Sequence, residues 1–176
     1  MTTRSPVDVG AAADLLETQG LTIAALFGGL SPRLAAWRPA ADGWSAHTVL
    51  CHLLDEERGD FRPRLVATLE DEGRPWPGID PEGWVTARGY AERSTSETLD
   101  AFVAERRTSV LRVRALSGAP WDHAHEHPTL GRITARDLLA AWLDHDRLHL
   151  RQVLGTLHAA GDLIVPGGRP DYAGTW

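Results

Sequence analysis

Two histidines one helical turn apart, His145 and His149, are the residues of this chain best placed to do chemistry. They lie in a segment, LLAAWLDHDRLHLRQVL, whose apolar residues recur at helical spacing. At about 100° per residue both imidazoles fall on the buried stripe, while Arg147 and Arg151 project to the solvent side. Two imidazoles at this spacing can bind one metal ion. The alternative is a pair of core histidines, each with its own polar partner.

A second helical segment supplies a third imidazole. His52 is flanked by apolar residues, whereas His47 lies about 140° away around the same helix and is expected to cap it or to face solvent. Glu56, one turn after His52, can share its inward face. It would then accept a hydrogen bond from an imidazole or act as a general base on water. The alternative is a surface carboxylate within the charged run 55–58.

Three imidazoles without a cysteine partner suit Zn²⁺, Ni²⁺, Co²⁺ or Fe²⁺, and geometry rather than affinity would decide among these ions. His52, His145 and His149 would leave one coordination position open, which is the arrangement of a catalytic site. The chain contains no Glu-x-x-His, which disfavours a di-iron bundle, and no His-Glu-x-x-His.

Two other groups are weaker candidates. His123, His125 and His127 alternate along the segment before the last helix. We interpret that segment mainly as a polar loop in which His125 faces away from the other two, and a weak second metal site stays open. Cys51, next to His52, is expected to be a small buried residue and not a nucleophile.

The composition excludes several function classes. All 18 basic residues are arginine, so lysine Schiff-base chemistry and a P-loop lysine are excluded. A formal net charge of −6 argues against nucleic-acid binding, which depends on neutralising phosphates. A single cysteine forms no internal disulfide. Neither a secretory signal nor an apolar run of about 18 residues is visible. We therefore expect a cytoplasmic protein without a nucleic-acid or membrane partner.

Helical periodicity dominates the rest of the chain. We predict long helices over about 7–27, 45–70, 94–118 and 134–158, a short helical piece over 31–37, and irregular segments over 71–93 and from 161 onward. Capping boxes are expected at Ser94 with Glu97 and at Thr134 with Asp137. No alternating strand pattern is convincing. The sequence therefore predicts a single all-α domain over 1–176, a four-helix bundle with a long crossover.

Three motifs occur together in this chain. The first is Trp-Ser at 44–45, followed by a histidine in Val-Leu-Cys-His-Leu at 49–53. The second is His-Pro-x-Leu-Gly-x-Ile-Thr at 127–134. The third is Leu-Leu-x-x-Trp-x-x-His-Asp-x-x-His-x-x-Gln at 138–152. Together they resemble the DinB-like superfamily of bacterial four-helix metalloproteins (the DinB/YfiT-like group), which includes mycothiol- and bacillithiol-dependent enzymes.

The resemblance implies an up-down-down-up topology, a metal ion held by His52, His145 and His149, and often a homodimer. Family members have been associated with nickel, zinc and other divalent ions. Zn²⁺ or Ni²⁺ is therefore the expected ion, with Fe²⁺, Co²⁺ or Mn²⁺ as alternatives.

Three functions stay open at this level. The first is a metal-dependent thiol S-transferase or related detoxification enzyme, whose partners would be a small-molecule thiol and an electrophile. The second is a metal-dependent hydrolase with Glu56 as the catalytic base. The third is a non-enzymatic metal-binding or stress protein. Trp142, one turn before His145, is expected to wall the site. Arg147 and Arg151 either receive substrate carboxylates or form a solvated helix face.

Overall fold

The long helices of this computed structural model, which describes residues 5–176, form a four-helix bundle. In chain order the elements are α1 (Val9–Gly28), α2 (Pro32–Ala36), α3 (Ala46–Glu56), a π-helical turn (Glu57–Phe61), α4 (Arg62–Glu70), α5 (Pro81–Ala87), a 3₁₀ turn (Tyr90–Glu92), α6 (Thr95–Arg114), β1 (Ala124–His127), β2 (Gly131–Thr134), α7 (Ala135–Ala159), α8 (Gly161–Ile164) and a second 3₁₀ turn (Pro170–Ala173). Within the described residues, no helix combines the length and the apolar character needed to cross a membrane.

Two apolar clusters, one at each end of the bundle, establish the directions of the helices. The first is built from the start of α1, the ends of α4 and α6 and the start of α7, and it buries Leu16, Leu65 and Val113. The second is built from the end of α1, from α3, from the start of α6 and from the end of α7, and it buries Ile23 and Val153. The chain therefore runs up along α1, down along α3–α4, down along α6 and up along α7. The predicted four-helix bundle is confirmed.

Side-chain caps begin the helices at the predicted residues. Thr134 and Asp137 form a reciprocal box before α7: the Thr134 hydroxyl accepts from the Asp137 N–H at 3.1 Å, and the Asp137 carboxylate accepts from the Thr134 N–H at 2.9 Å. Ser94 caps α6 by accepting from the Glu97 N–H at 3.4 Å, but Glu97 does not return the bond, so of the two predicted boxes only the one before α7 is reciprocal. The helix that follows Ser94 ends at Arg114, earlier than the expected 118.

The helix expected over 45–70 is interrupted by a π-helical turn. Pro63 gives the physical reason, because it has no N–H to donate and its ring would collide with the Gly59 carbonyl in a regular α-helix. A wider turn before the proline relieves that collision and adds about one residue to the helix. Glu57, Asp60 and Phe61 of this turn are all buried, so the turn carries polar side chains into the bundle.

The crossover and the tail contain short elements where irregular chain was expected. Between 71 and 93 the chain forms α5 and a 3₁₀ turn, and Trp84 and Tyr90 from these elements pack around Cys51 of α3. After 161 it forms α8 and a second 3₁₀ turn. Proline at the first turn and an Asp80 cap start α5, a local signal that the density of prolines and glycines in this segment obscured.

The segment interpreted as a polar loop is a strand of a β-hairpin. β1 and β2 pair antiparallel, with His125 opposite Ile133 and His127 opposite Gly131. Residues two apart on a strand share a face. The rings of His125 and His127 accordingly both lie near Trp76, at centroid distances of 4.2 and 6.2 Å. The expectation that His125 faces away from its neighbours is therefore wrong.

A buried ionic cluster joins the long helices between the two apolar clusters. Arg106 of α6 donates from Nε and Nη2 to the Glu57 carboxylate at 3.0 and 2.8 Å. Its Nη2 also donates to Asp146 of α7 at 2.9 Å, and Nη1 donates to the other oxygen of the same carboxylate. Nη1 reaches the Leu16 carbonyl of α1 at 3.3 Å, and Trp142 Nε1 donates to Glu57 at 3.2 Å. The exposed fractions of Arg106, Glu57 and Asp146 are 4%, 1% and 0%, so this cluster is part of the core.

We expect Gly20→Ala to destabilise the protein by about 1–3 kcal/mol, as overpacking of a core does. A Cβ at this position of α1 would lie 2.6 Å from Cγ of Arg106, whose guanidinium is held by the cluster and leaves the side chain little freedom to move. Gly155→Ala in α7 is the matched control. Its Cβ would meet no atom within 4 Å, so the helix should gain about 0.5–1 kcal/mol. Urea unfolding measures both changes, and equal stability of the two variants would contradict this packing.

Candidate metal centre

Three imidazole nitrogens converge where α3 and α7 pass each other. His52 Nε2 lies 3.2 Å from His145 Nε2, which lies 3.1 Å from His149 Nε2. Nitrogen ligands about 2.0–2.1 Å from one ion stand roughly 3.0–3.4 Å apart. Among residues 5–176, this is the only group of three or more histidine, cysteine, aspartate or glutamate side chains whose ligand atoms all lie within 4.8 Å of one another. The structure thus brings together the three predicted ligands with spacings that fit a divalent ion.

The centre is enclosed on its sides by aromatic rings. The Trp44 ring lies edge-on to His52 at 5.0 Å and parallel to His149 at 6.4 Å. The Phe61 ring lies 4.8 Å from His145. Trp142, which was expected to wall the site, stacks on Phe61 at 5.8 Å and therefore supports that ring. His52 is buried while His145 and His149 are half-buried, so the α7 side of the centre reaches solvent.

Burial keeps the three imidazoles uncharged. Desolvation, reinforced by His149, lowers the pKa of His52 to about 3. Desolvation also lowers the pKa of His145 to about 2, with smaller contributions from the neighbouring histidines and Arg106. The pKa of His149 is lowered by the same cause. Neutral imidazole is the form that binds metal, so no proton has to leave these rings at neutral pH.

Gln152 orients one of the three ligands. Its side-chain oxygen lies 2.8 Å from His149 Nδ1. An amide oxygen can only accept, so Nδ1 carries the ring proton and Nε2 presents its lone pair to the centre. Gln152 is the last residue of the motif at 138–152, and the structure gives that position a physical role.

Glu56 lies behind His52 with respect to the centre. Its Oε1 is 3.8 Å from His52 Nδ1, the nitrogen that faces away from the other two imidazoles. Glu56 is 4% exposed, which excludes the surface-carboxylate interpretation. Burial, with a hydrogen bond and charge from Asp60, raises the pKa of Glu56 to about 8. The 3.8 Å separation from His52 Nδ1 is longer than a hydrogen bond, and both atoms are buried without a hydrogen-bond partner, so the role of Glu56 as a partner of His52 stays a prediction. The catalytic-base role stays a prediction.

Sequence reasoning missed the arginine partners of the buried carboxylates around Glu56. Asp55 receives Arg88 and Arg93, each at 3.2 Å, and Asp60 receives Arg64 at 2.7 Å. It also missed the cluster of Arg106, Glu57 and Asp146. One signal was available: Arg106 follows Phe102 by four residues and precedes Val113 by seven, which places it on the apolar stripe of α6.

The remaining sequence candidates lie away from the centre. His47 is half-buried and contacts the Tyr90 carbonyl at 2.8 Å and the Thr95 hydroxyl at 2.9 Å, so it fastens the crossover and neither caps its helix nor faces solvent. Cys51 is fully buried, as expected, and burial raises the pKa of its thiol to about 11. Arg147 pairs with Asp144 at 3.2 Å on an exposed face. Exposure of Arg151 likewise favours the solvated-face interpretation.

We expect acid to destabilise the metal-free protein through His145. Because the pKa of His145 falls from 6.5 to about 2 on folding, its contribution to stability is fully present above pH 6.5 and is lost as pH falls below that value. The pKa of Glu56 rises on folding, so its contribution to stability changes with pH in the opposite sense. We therefore compare wild type with His145→Gln, since both proteins contain Glu56 and only one contains His145. The stability difference should shrink by up to about 1.4 kcal/mol per pH unit below 6.5. Urea unfolding in chelator between pH 5 and 8.5 measures it, and a constant difference would contradict the burial argument.

Comparison with known proteins agrees with the fold. The family model for the DinB superfamily matches residues 15–153. Among solved structures, YfiT from Bacillus subtilis superposes with a TM-score of 0.79 at 17% sequence identity, covering 92% of each chain. YfiT is described as a probable metal-dependent hydrolase with an unusual four-helix bundle topology. No curated protein sequence matches this chain significantly. The match over most of the chain confirms the resemblance noted in the sequence, and the protein belongs to the DinB superfamily.

Proposed function

We propose that the protein is a divalent-metal-dependent hydrolase whose ion is held by His52, His145 and His149. The convergence of three neutral Nε2 atoms, with neighbouring spacings of 3.1 and 3.2 Å, carries the proposal. Three protein ligands leave room for water or substrate, which is typical of catalytic and not of structural sites. YfiT, which has the same fold, is described as a probable metal-dependent hydrolase. At 17% identity that likeness supports the fold alone, so the proposal rests on the residues of this chain.

The residues around the centre have separable roles in this proposal. A divalent ion, when bound, supplies Lewis-acid chemistry by acidifying water and polarising a carbonyl or phosphoryl oxygen. Gln152 holds His149 in the ligating tautomer, and a shift of less than about 1 Å in Glu56 Oε1, now 3.8 Å from His52 Nδ1, would let it orient His52 from behind. Trp44 and Phe61 exclude bulk water from the sides and favour a substrate with an apolar group near its reacting atom.

We expect about one transition-metal ion per wild-type chain. His52→Ala, His145→Ala and His149→Ala should each reduce occupancy well below one, because two imidazoles hold an ion far more weakly than three. Elemental analysis after loading with Zn²⁺, Ni²⁺, Co²⁺, Fe²⁺ or Mn²⁺ measures occupancy. His47→Ala on α3 and His158→Ala on α7 are matched controls on the same helices and should retain the ion. Full occupancy in any of the three ligand variants would exclude this ligand set.

Thiol S-transfer is the second candidate. Three neutral imidazoles contribute no negative charge to a bound divalent ion, which favours an anionic fourth ligand such as a thiolate. In this reaction the thiolate sulfur would form a bond to the electrophilic carbon of the substrate while its leaving group departs with the electron pair. The aromatic walls at Trp44 and Phe61 suit a small apolar electrophile.

One assay separates the two reactions. The Zn²⁺-loaded protein should hydrolyse 4-nitrophenyl acetate without thiol, His149→Ala should lose this turnover, and N-acetylcysteine should inhibit by occupying the open position. Thiol-dependent consumption of 1-chloro-2,4-dinitrobenzene without ester hydrolysis would instead favour the transferase. A loaded protein inactive in both assays would favour a non-enzymatic metal-binding role. His158→Ala is the control and should behave as wild type.

A further inference from the structure

We infer that Arg106 is a positioning residue for the metal centre, because its guanidinium links the two backbone segments that carry the three histidines. Arg106 itself lies on α6, which contributes no ligand. This inference rests on the metal site of the proposed function and assigns a role to a residue outside the three ligands.

The two carboxylates that bind Arg106 stand next to the centre along the chain. Asp146 directly follows His145 and lies three residues before His149. Glu57 directly follows Glu56, the residue behind His52. A fixed separation between these carboxylates therefore fixes how far the α3 ligand stands from the α7 pair.

A guanidinium is suited to set that separation. Its planar fork presents several N–H groups at fixed angles, and here it engages both oxygens of Glu57 and both oxygens of Asp146. Lysine would present one compact ammonium and could not hold both carboxylates in this plane. The fork is clamped in turn by the Leu16 carbonyl and by the close approach of Gly20 on α1.

The charge of the cluster favours a cation close by. One guanidinium faces two carboxylates, so the cluster carries a formal charge of −1 in the interior. A buried uncompensated charge is costly, and a divalent ion held by His145, the residue before Asp146, would offset it. A cluster built only for packing would gain nothing from this excess of acid.

The test is Arg106→Lys, with Arg62→Lys as the matched control. Arg62 also joins α4 to α6, through the Glu105 carbonyl at 3.2 Å and the Glu105 carboxylate, but its hydrogen bonds lie on α6 and not on a ligand helix. Competition titration of Co²⁺ and Zn²⁺ should give a dissociation constant at least 10-fold weaker for Arg106→Lys and unchanged for Arg62→Lys. The visible spectrum of bound Co²⁺ should change only in Arg106→Lys. Equal affinities and spectra for wild type and Arg106→Lys would overturn the inference.

A measurement without metal distinguishes failure of this inference from failure of the proposed function. In a crystal structure of metal-free Arg106→Lys, the separation of His52 Nε2 from His145 Nε2 should exceed the present 3.2 Å. An unchanged separation would overturn the inference even if the wild type binds no metal. If Arg106→Lys does not fold, Glu57→Gln and Asp146→Asn remove one side of the fork each, and both measurements apply to them with the same expected results.

Discussion

The guanidinium of Arg106 compensates half of the negative charge that Glu57 and Asp146 bring into the centre of this bundle. Glu57 and Asp146 are almost fully buried, and isolated charges would not be tolerated there. Replacing such a cluster by apolar residues is often neutral or stabilising, so stability alone explains it poorly. Its location explains more. It lies between the two apolar clusters, at the level where α3 and α7 bring their histidines together. The bundle thus has an apolar end, a polar middle and a second apolar end.

The polar middle holds the histidines in the form that binds a metal, and this lowers the stability of the metal-free protein. Burial holds His52 and His145 neutral, which is the ligating form, and the ring of His149 is oriented by Gln152. Without an ion, nitrogens 3.1 and 3.2 Å apart face one another, and neutral rings cannot all satisfy these contacts with the protons they carry. A divalent ion would satisfy all three lone pairs. The same desolvation that disfavours protonation of these imidazoles in the metal-free protein therefore favours metal binding.

Much of this could be predicted from the sequence because the relevant signals are periodic and local. His145 and His149 lie one turn apart on a strongly amphipathic helix, and His52 lies on an apolar stripe, so projection alone selected the trio that converges. The π-helical turn could not be read from periodicity, since one proline, Pro63, shifts the phase of an otherwise helical pattern. The hairpin at 124–134 escaped because its strands are four residues each and rich in polar side chains. The partners of Arg106 depend on three distant segments meeting, which no local pattern encodes.

The pattern His-Asp-x-x-His-x-x-Gln combines two tasks on one helix surface. His145 and His149 point to the centre, Gln152 orients the second histidine, and Asp146, offset by about 100° from His145, turns instead toward α6. Either task alone would be compatible with several rotations of α7 about its axis. Together they require that the helix present its ligands and its anchor in one fixed rotation, because any twist of α7 that improves one set of contacts displaces the other. The short motif therefore encodes the orientation of α7 as well as its candidate ligands, and this accounts for an acidic residue between two histidines that itself faces away from the candidate metal centre.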